Sequence, residues 1–271
     1  MATRFPKPML TKEHGSWAVL LIPIAVAAGE VGAWSTDILF LVVAALSAFV
    51  SYLPAQTVLR HVTGNPQEVS KLTASVIWGS LSLAVAGVST LYLVLNGDTL
   101  LVAFAAIALL FFLVNFFLVT RFQKTIASDL IGMAGLTLGA PARLYVSRGV
   151  LDVEAFSLYL LCLLFFGCSV VYVHMKMKVV ETKRDPLSLR ERFALARMNI
   201  VYHVAVIAIV GVLALRHWTP ALSLVAFIPM TIHALYGTFT LSHKVRFKRL
   251  GWLLLAQSVL FALLMIVLPG V

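Results

Sequence analysis

Five stretches of the sequence hold side chains capable of chemistry. Thr11-Lys12-Glu13-His14-Gly15-Ser16-Trp17 opens an apolar run and sets a carboxylate beside an imidazole. At the mouth of a membrane cavity such a pair could bind a headgroup or move a proton. A plainer reading makes Thr11 a helix N-cap, with Glu13 at the positive end of the helix dipole and Trp17 in the interfacial aromatic belt. That reading leaves His14 unexplained. Tyr52, Gln56 and Arg60 recur at every fourth position and share one helical face, provided the helix survives Pro54. Tyr172 and Lys176 repeat that spacing at the end of another apolar run, as do His174 and Lys178. Arg121 and Lys124 stand just ahead of Asp129, and His233 and Tyr236 lie three apart inside an apolar run.

The chemistry these types suit is the capture of an anion. Arg60, Arg121, Lys124, Lys176 and Lys178 would make a positive mouth for phosphate or carboxylate. A basic collar for anionic lipid would use the same residues. Candidate catalytic groups are Glu13, His14 and Asp129. Candidate ligand-binding groups are Gln56, Arg60, Arg121, Lys124, Tyr172, His174, Lys176, Lys178 and His233, although Thr231 or a backbone carbonyl could simply satisfy His233. No metal is expected, because the histidines lack the tight spacing of a metal site. A haem site would need two histidines paired from facing helices, which spacing alone does not provide. GxGxxG, P-loop and HExxH patterns are absent, so the sequence names no cofactor.

The elements that must position these residues follow from composition. The chain is 61% hydrophobic and 12% charged, with a mean hydropathy of +0.98. Soluble domains carry about 25% charged residues, so one polytopic membrane domain is indicated. A formal charge of +10 could suggest nucleic acid, but the cations sit in short gaps between apolar runs, and no nucleic-acid partner is expected. No cleavable signal peptide is expected after 1–12. Cys162 and Cys168 share one apolar run, point in different directions on a helix and read as packing residues.

A span needs about 20 apolar residues. Nine candidates result: 15–33, 38–53, 73–95, 99–119, 126–146, 155–175, 198–215, 221–241 and 250–268. With a cytoplasmic N-terminus, 18 of the 21 Lys and Arg residues fall on the cytoplasmic side, leaving Arg143, Arg148 and Arg216 outside. That asymmetry supports nine spans and an outer C-terminus. The largest polar segment, 172–197, holds seven of those cations. Outer connections are short, whereas 54–72 forms a 19-residue cytoplasmic gap. The polar mouth therefore belongs on the cytoplasmic face. Polar ladders ending two spans four apart hint at four-helix repeat units over 15–119 and 126–241, followed by a final helix over 250–268. The fifth span holds Gly132, Gly135, Gly139 and Pro141. It predicts a small-residue packing face and a kink or stop at the proline. Asp129 and Arg143 at its ends should avoid lipid.

Lys12-Glu13-His14-Gly15-Ser16-Trp17 opening the first span and Arg249-Leu-Gly251-Trp252 opening the last resemble the YwiC-like family of bacterial membrane proteins. More distantly, the nine-span layout resembles the UbiA-type intramembrane prenyltransferases, as does the basic connection 121–132 leading into Gly139-Ala140-Pro141. Those enzymes hold Mg²⁺ against a prenyl diphosphate with aspartate-rich motifs at the ends of the second and sixth spans. Here the corresponding positions read Tyr52, Gln56, Arg60 and Tyr172, Lys176. Glu181 and Asp185 lie downstream, embedded in cations, and one pair is a poor substitute for two motifs. The resemblances imply an all-α, nine-helix, UbiA-like bundle in the bacterial cytoplasmic membrane. Its ligand would be isoprenoid-like or lipid-like, and an enzyme on this plan would be a non-standard transferase. Two other readings stay open. One is a transporter or channel lined by Glu13, Asp129, His174 and His233. The other is a scaffold for a membrane enzyme complex, docking an acidic protein partner on the basic sixth connection.

Overall fold

The computed structural model describes residues 7–11, 14–32, 34–64, 67–122, 124–183 and 186–268, the side chains of His14 and Phe122 excepted. Ten helices are present among them: α1 His14–Val31, α2 Thr36–Val62, α3 Val69–Leu95, α4 Leu101–Phe122, α5 Ile126–Leu136, α6 Gly139–Arg148, α7 Val153–Thr182, α8 Leu189–Leu215, α9 Ser223–Phe239 and α10 Phe247–Val267. Among the described residues there is no strand. Six helices (α2, α3, α4, α7, α8 and α10) are long and apolar enough to cross a bilayer, and α1 and α9 are shorter apolar helices. In lipid every backbone polar group must be satisfied internally, which helices achieve within one segment. The chain is a multi-pass, all-helical membrane protein.

Three helices differ instructively from the spans read in the sequence. The span 38–53 is short on paper, but α2 runs through Pro54 to Val62 and is 27 residues long. Pro54 is buried against α3, where a Cβ on Gly79 would stand 3.1 Å from its own Cβ. Packing outweighs the one backbone hydrogen bond that the proline removes. The 19-residue gap accordingly shrinks to 63–68. In the same way α7 continues through the polar stretch to Thr182 and stops at Lys183, whose φ of 52° is left-handed. α8 then begins on a capping box formed by Ser188 and Glu191. Most of 172–197 is therefore helix.

The fifth span is broken at Thr137 and Leu138 into α5 and α6. Pro141 falls in the first turn of α6, where its missing N–H costs little. The glycine face serves two neighbours. Gly132 and Gly135 lie against Asn115 and Phe111 of α4, whereas a Cβ on Gly139 would meet Ile24 Cγ1 of α1 at 2.7 Å.

Helix α7 is the axis of the bundle, in contact with α1, α5, α6, α8 and α9. Its interior is aromatic: Phe165 stacks on Phe261 of α10 with centroids 4.0 Å apart and meets Phe227 of α9 edge-on. Cys162 and Cys168 are free thiols buried in this core, as their packing role requires. The hairpin of α2 and α3 packs tightly on itself and touches α1, α4 and α6 only lightly. Space is left between this hairpin and the α7 core.

Candidate functional site

That space is a cavity of about 1930 Å³. Its polar end is built from the C-terminal turns of α2, the residues joining α4 to α5, the last third of α7 and the first turns of α10. Gln56, Arg60, Lys124, Asp129, His174 and Lys248 line it there. Toward the other end the wall becomes apolar, with Leu41, Ala44, Leu93, Leu101, Phe104 and Ala108. Leu83 and Leu91 of α3 and Leu109 of α4 line the cavity and are each more than half exposed. The cavity therefore also opens sideways, along the seam where α3 and α4 barely touch.

The polar end is organised by two hydrogen-bonded groups. In the first, Gln56 Nε2 donates to Tyr52 Oη at 2.7 Å, and Tyr52 Oη donates to Asn115 Oδ1 at 3.0 Å. Asn115 Nδ2 in turn donates to the carbonyl of Ser128. This chain ties α2, α4 and α5 together. The α2 ladder stays on one face, since Tyr52, Gln56 and Arg60 all line the cavity. In the second group, Asp129 sits in the first turn of α5, where the helix dipole favours a carboxylate. Its Oδ2 accepts from His174 Nε2 at 2.9 Å, and Lys124 Nζ lies 3.9 Å from Oδ1. In the tautomer that donates Nε2–H to the carboxylate, the neutral imidazole keeps Nδ1 as its acceptor nitrogen. Among the described residues neither Arg60 nor Lys248 has a carboxylate partner.

The other candidates go elsewhere. Arg121 and Lys178 are exposed and lie off the cavity wall. Tyr172 and Lys176 face α9. The Tyr172 ring lies 4.7 Å from that of His233, and a Cβ on Gly237 would collide with the Tyr172 phenol. Lys176 is buried, donates to the Gly237 carbonyl at 2.9 Å and lies 5.2 Å from the centre of the Tyr172 ring. Arg192 donates to the Phe239 carbonyl. Two cations thus cap the C-terminus of α9, whose last carbonyls lack helical partners. His233 is held by Gln257, Nδ1 to Oε1 at 3.2 Å, rather than by Thr231. His203 of α8 hydrogen-bonds through Nδ1 to the Asn199 carbonyl of its own helix at 2.8 Å. Glu13 and the side chain of His14 lie outside the described residues. No group of three or more potential metal ligands is found among the described residues.

Spacing did not single out Asn115, the Ser128 carbonyl it bonds, or Lys248. Asn115 had a signal: it is a lone amide inside Phe-Phe-Leu-Val-Asn-Phe-Phe-Leu-Val, and a polar side chain in such a run has to find a partner.

The opposite end of α7 carries a second electrostatic cluster. Arg148 Nη1 meets Asp152 Oδ2 at 2.8 Å and Glu154 Oε2 at 2.6 Å. Asp152 caps α7 by accepting from the Ala155 N–H at 2.8 Å. Burial pushes the Asp152 carboxyl up, but the Ala155 N–H and the Arg148 guanidinium outweigh it and hold the group below its usual range. Arg143, expected outside on charge grounds, is fully buried beside this end and donates to Ser147.

Neither the curated proteins nor the solved structures contain a match to this chain. The motif Arg249-Leu-Gly251-Trp252, half of the resemblance noted above, lies beyond the stretch for which a family match exists. Residues 10–144, about half of the chain, match the model described as YwiC-like protein, and over that half the chain is a member of the YwiC-like family.

Proposed function

We propose that the protein binds an amphiphile with an anionic head and a long apolar tail, lipid-like or isoprenoid-like. The head is held at the polar end of the cavity by Arg60, Lys124 and Lys248, with Gln56 as a neutral donor. The tail lies along the apolar wall between the α2–α3 hairpin and the α7 core. One observation carries this reading: Arg60 and Lys248, which have no carboxylate partner among the described residues, stand at one end of a cavity that is otherwise apolar. An anion is what such an end lacks, because an uncompensated charge beside hydrocarbon is costly.

In this reading the chain crosses the bacterial cytoplasmic membrane nine times, α5 and α6 together forming the fifth crossing in a UbiA-like bundle. The polar end faces the cytoplasm, as the distribution of Lys and Arg supports. A transmembrane polar pathway has less support, since polar side chains thin out with depth along the cavity wall. Mass spectrometry of the purified protein tests the binding. An anionic amphiphile is expected to co-purify and to be lost from R60E/K248E. Recovery of bulk phospholipid alone, in equal amount from both proteins, would contradict the proposal.

A further inference from the structure

We infer that Asp129 and His174 form a general-base dyad, and that the cavity hydrolyses a phosphoester of a long-chain alcohol. The inference rests on the binding mode proposed above and adds turnover to it. Asp129 fixes the imidazole through Nε2 at 2.9 Å, which sets both the tautomer and the ring orientation. Both residues line the cavity, as do Arg60 near the C-terminus of α2, Lys124 just ahead of α5 and Lys248 in the first turn of α10. Three cations against one carboxylate favour a phosphoryl group, and the same cations would offset the charge that builds on it in the transition state.

The nucleophile is water. Of the serines on the cavity wall, Ser51 and Ser258 donate to the carbonyls of Ala48 and Leu254. Neither Ser16 nor Ser169 is hydrogen-bonded to the imidazole. His174 Nδ1 takes one proton from water as the new O–P bond forms and the bond from phosphorus to the alkyl oxygen breaks. The imidazolium, stabilised by the Asp129 carboxylate, returns that proton to the departing alkoxide. The products are the long-chain alcohol and inorganic phosphate, with no change of oxidation state. His174 is the catalytic residue and Asp129 the positioning residue.

The test uses the full-length protein in neutral phosphatidylcholine nanodiscs with dodecyl phosphate as probe. Binding and release of inorganic phosphate are measured on the same samples. The wild type is expected to bind the probe and to release phosphate. H174Q and D129N should each lower kcat by about 100-fold, with KM and probe affinity changed less than threefold. A wild type that binds dodecyl phosphate but releases no phosphate above a protein-free control overturns the inference and leaves the binding proposal standing. A wild type that does not bind the probe overturns the binding proposal itself. Release that is unchanged in both H174Q and D129N also overturns the inference.

Discussion

Tyr172 and His174 are two residues apart on α7 and serve opposite sides of it. Tyr172 lies on the backbone of α9 at Gly237, whereas His174 reaches across the cavity end to Asp129 of α5. Successive helical residues advance about 100°, so neighbours at this spacing point in nearly opposite directions. The same polar segment therefore supplies both a structural contact and a candidate reactive group.

Gly237 should tolerate no side chain while Tyr172 is present. G237A is expected to lower stability by about 1–3 kcal/mol through overpacking. Y172L in the same background should recover part of that loss. Thermal unfolding in detergent compares the three proteins, and a G237A midpoint equal to the wild type would show that the contact is loose.

Lys176 is expected to act on stability and not on the ligand. K176M removes the cap on the Gly237 carbonyl and should cost about 1 kcal/mol. Probe affinity should change less than twofold. A large loss of affinity with unchanged stability would place Lys176 at the ligand instead.

These two residues show how far the sequence reaches. Helical spacing alone placed Tyr52, Gln56 and Arg60 on one face, because a single helix fixes such a relation. It also paired Tyr172 with Lys176 and His174 with Lys178, but which residue meets the cavity depends on the neighbouring helix, and only His174 does. The hydrogen bond from His174 to Asp129 joins residues 45 apart in sequence, beyond any local periodicity. The glycines and Pro141 predict a kink or stop at the proline, whereas the break falls earlier, at Thr137 and Leu138, and Pro141 lies in the first turn of α6. Hydropathy understated α2 and α7, because charges on a terminal turn lower hydropathy without ending the helix.

Asn115 holds α2 to α5 through Tyr52 and the Ser128 carbonyl. N115L would leave buried polar partners unsatisfied, at a cost of about 1–3 kcal/mol. It should also weaken probe binding, since Gln56 is positioned through Tyr52. Measured stability within 0.5 kcal/mol of wild type, on the order expected of a neutral surface change, would argue that the network is dispensable.

Asp152 predicts an acid limb to stability. Its folded pKa is depressed, so its contribution is fully present above the unfolded carboxylate value of about 4 and is lost as pH falls through the lower folded value. D152A should cost about 1 kcal/mol at neutral pH, through the cap it removes, and should flatten the fall in stability on acidification. Unfolding midpoints measured from pH 7 to pH 3 decide this. An unchanged acid limb in D152A would assign the sensitivity to other carboxylates.

The most direct test of the central claim compares two amphiphiles that share a tail and differ in head charge. Dodecyl phosphate and dodecyltrimethylammonium are titrated into the wild type and R60Q/K248Q in neutral nanodiscs. The phosphate should bind the wild type in preference to the ammonium and should lose at least about tenfold in affinity in the double variant. Equal affinity for the two heads, or phosphate binding unaltered by R60Q/K248Q, would contradict the account.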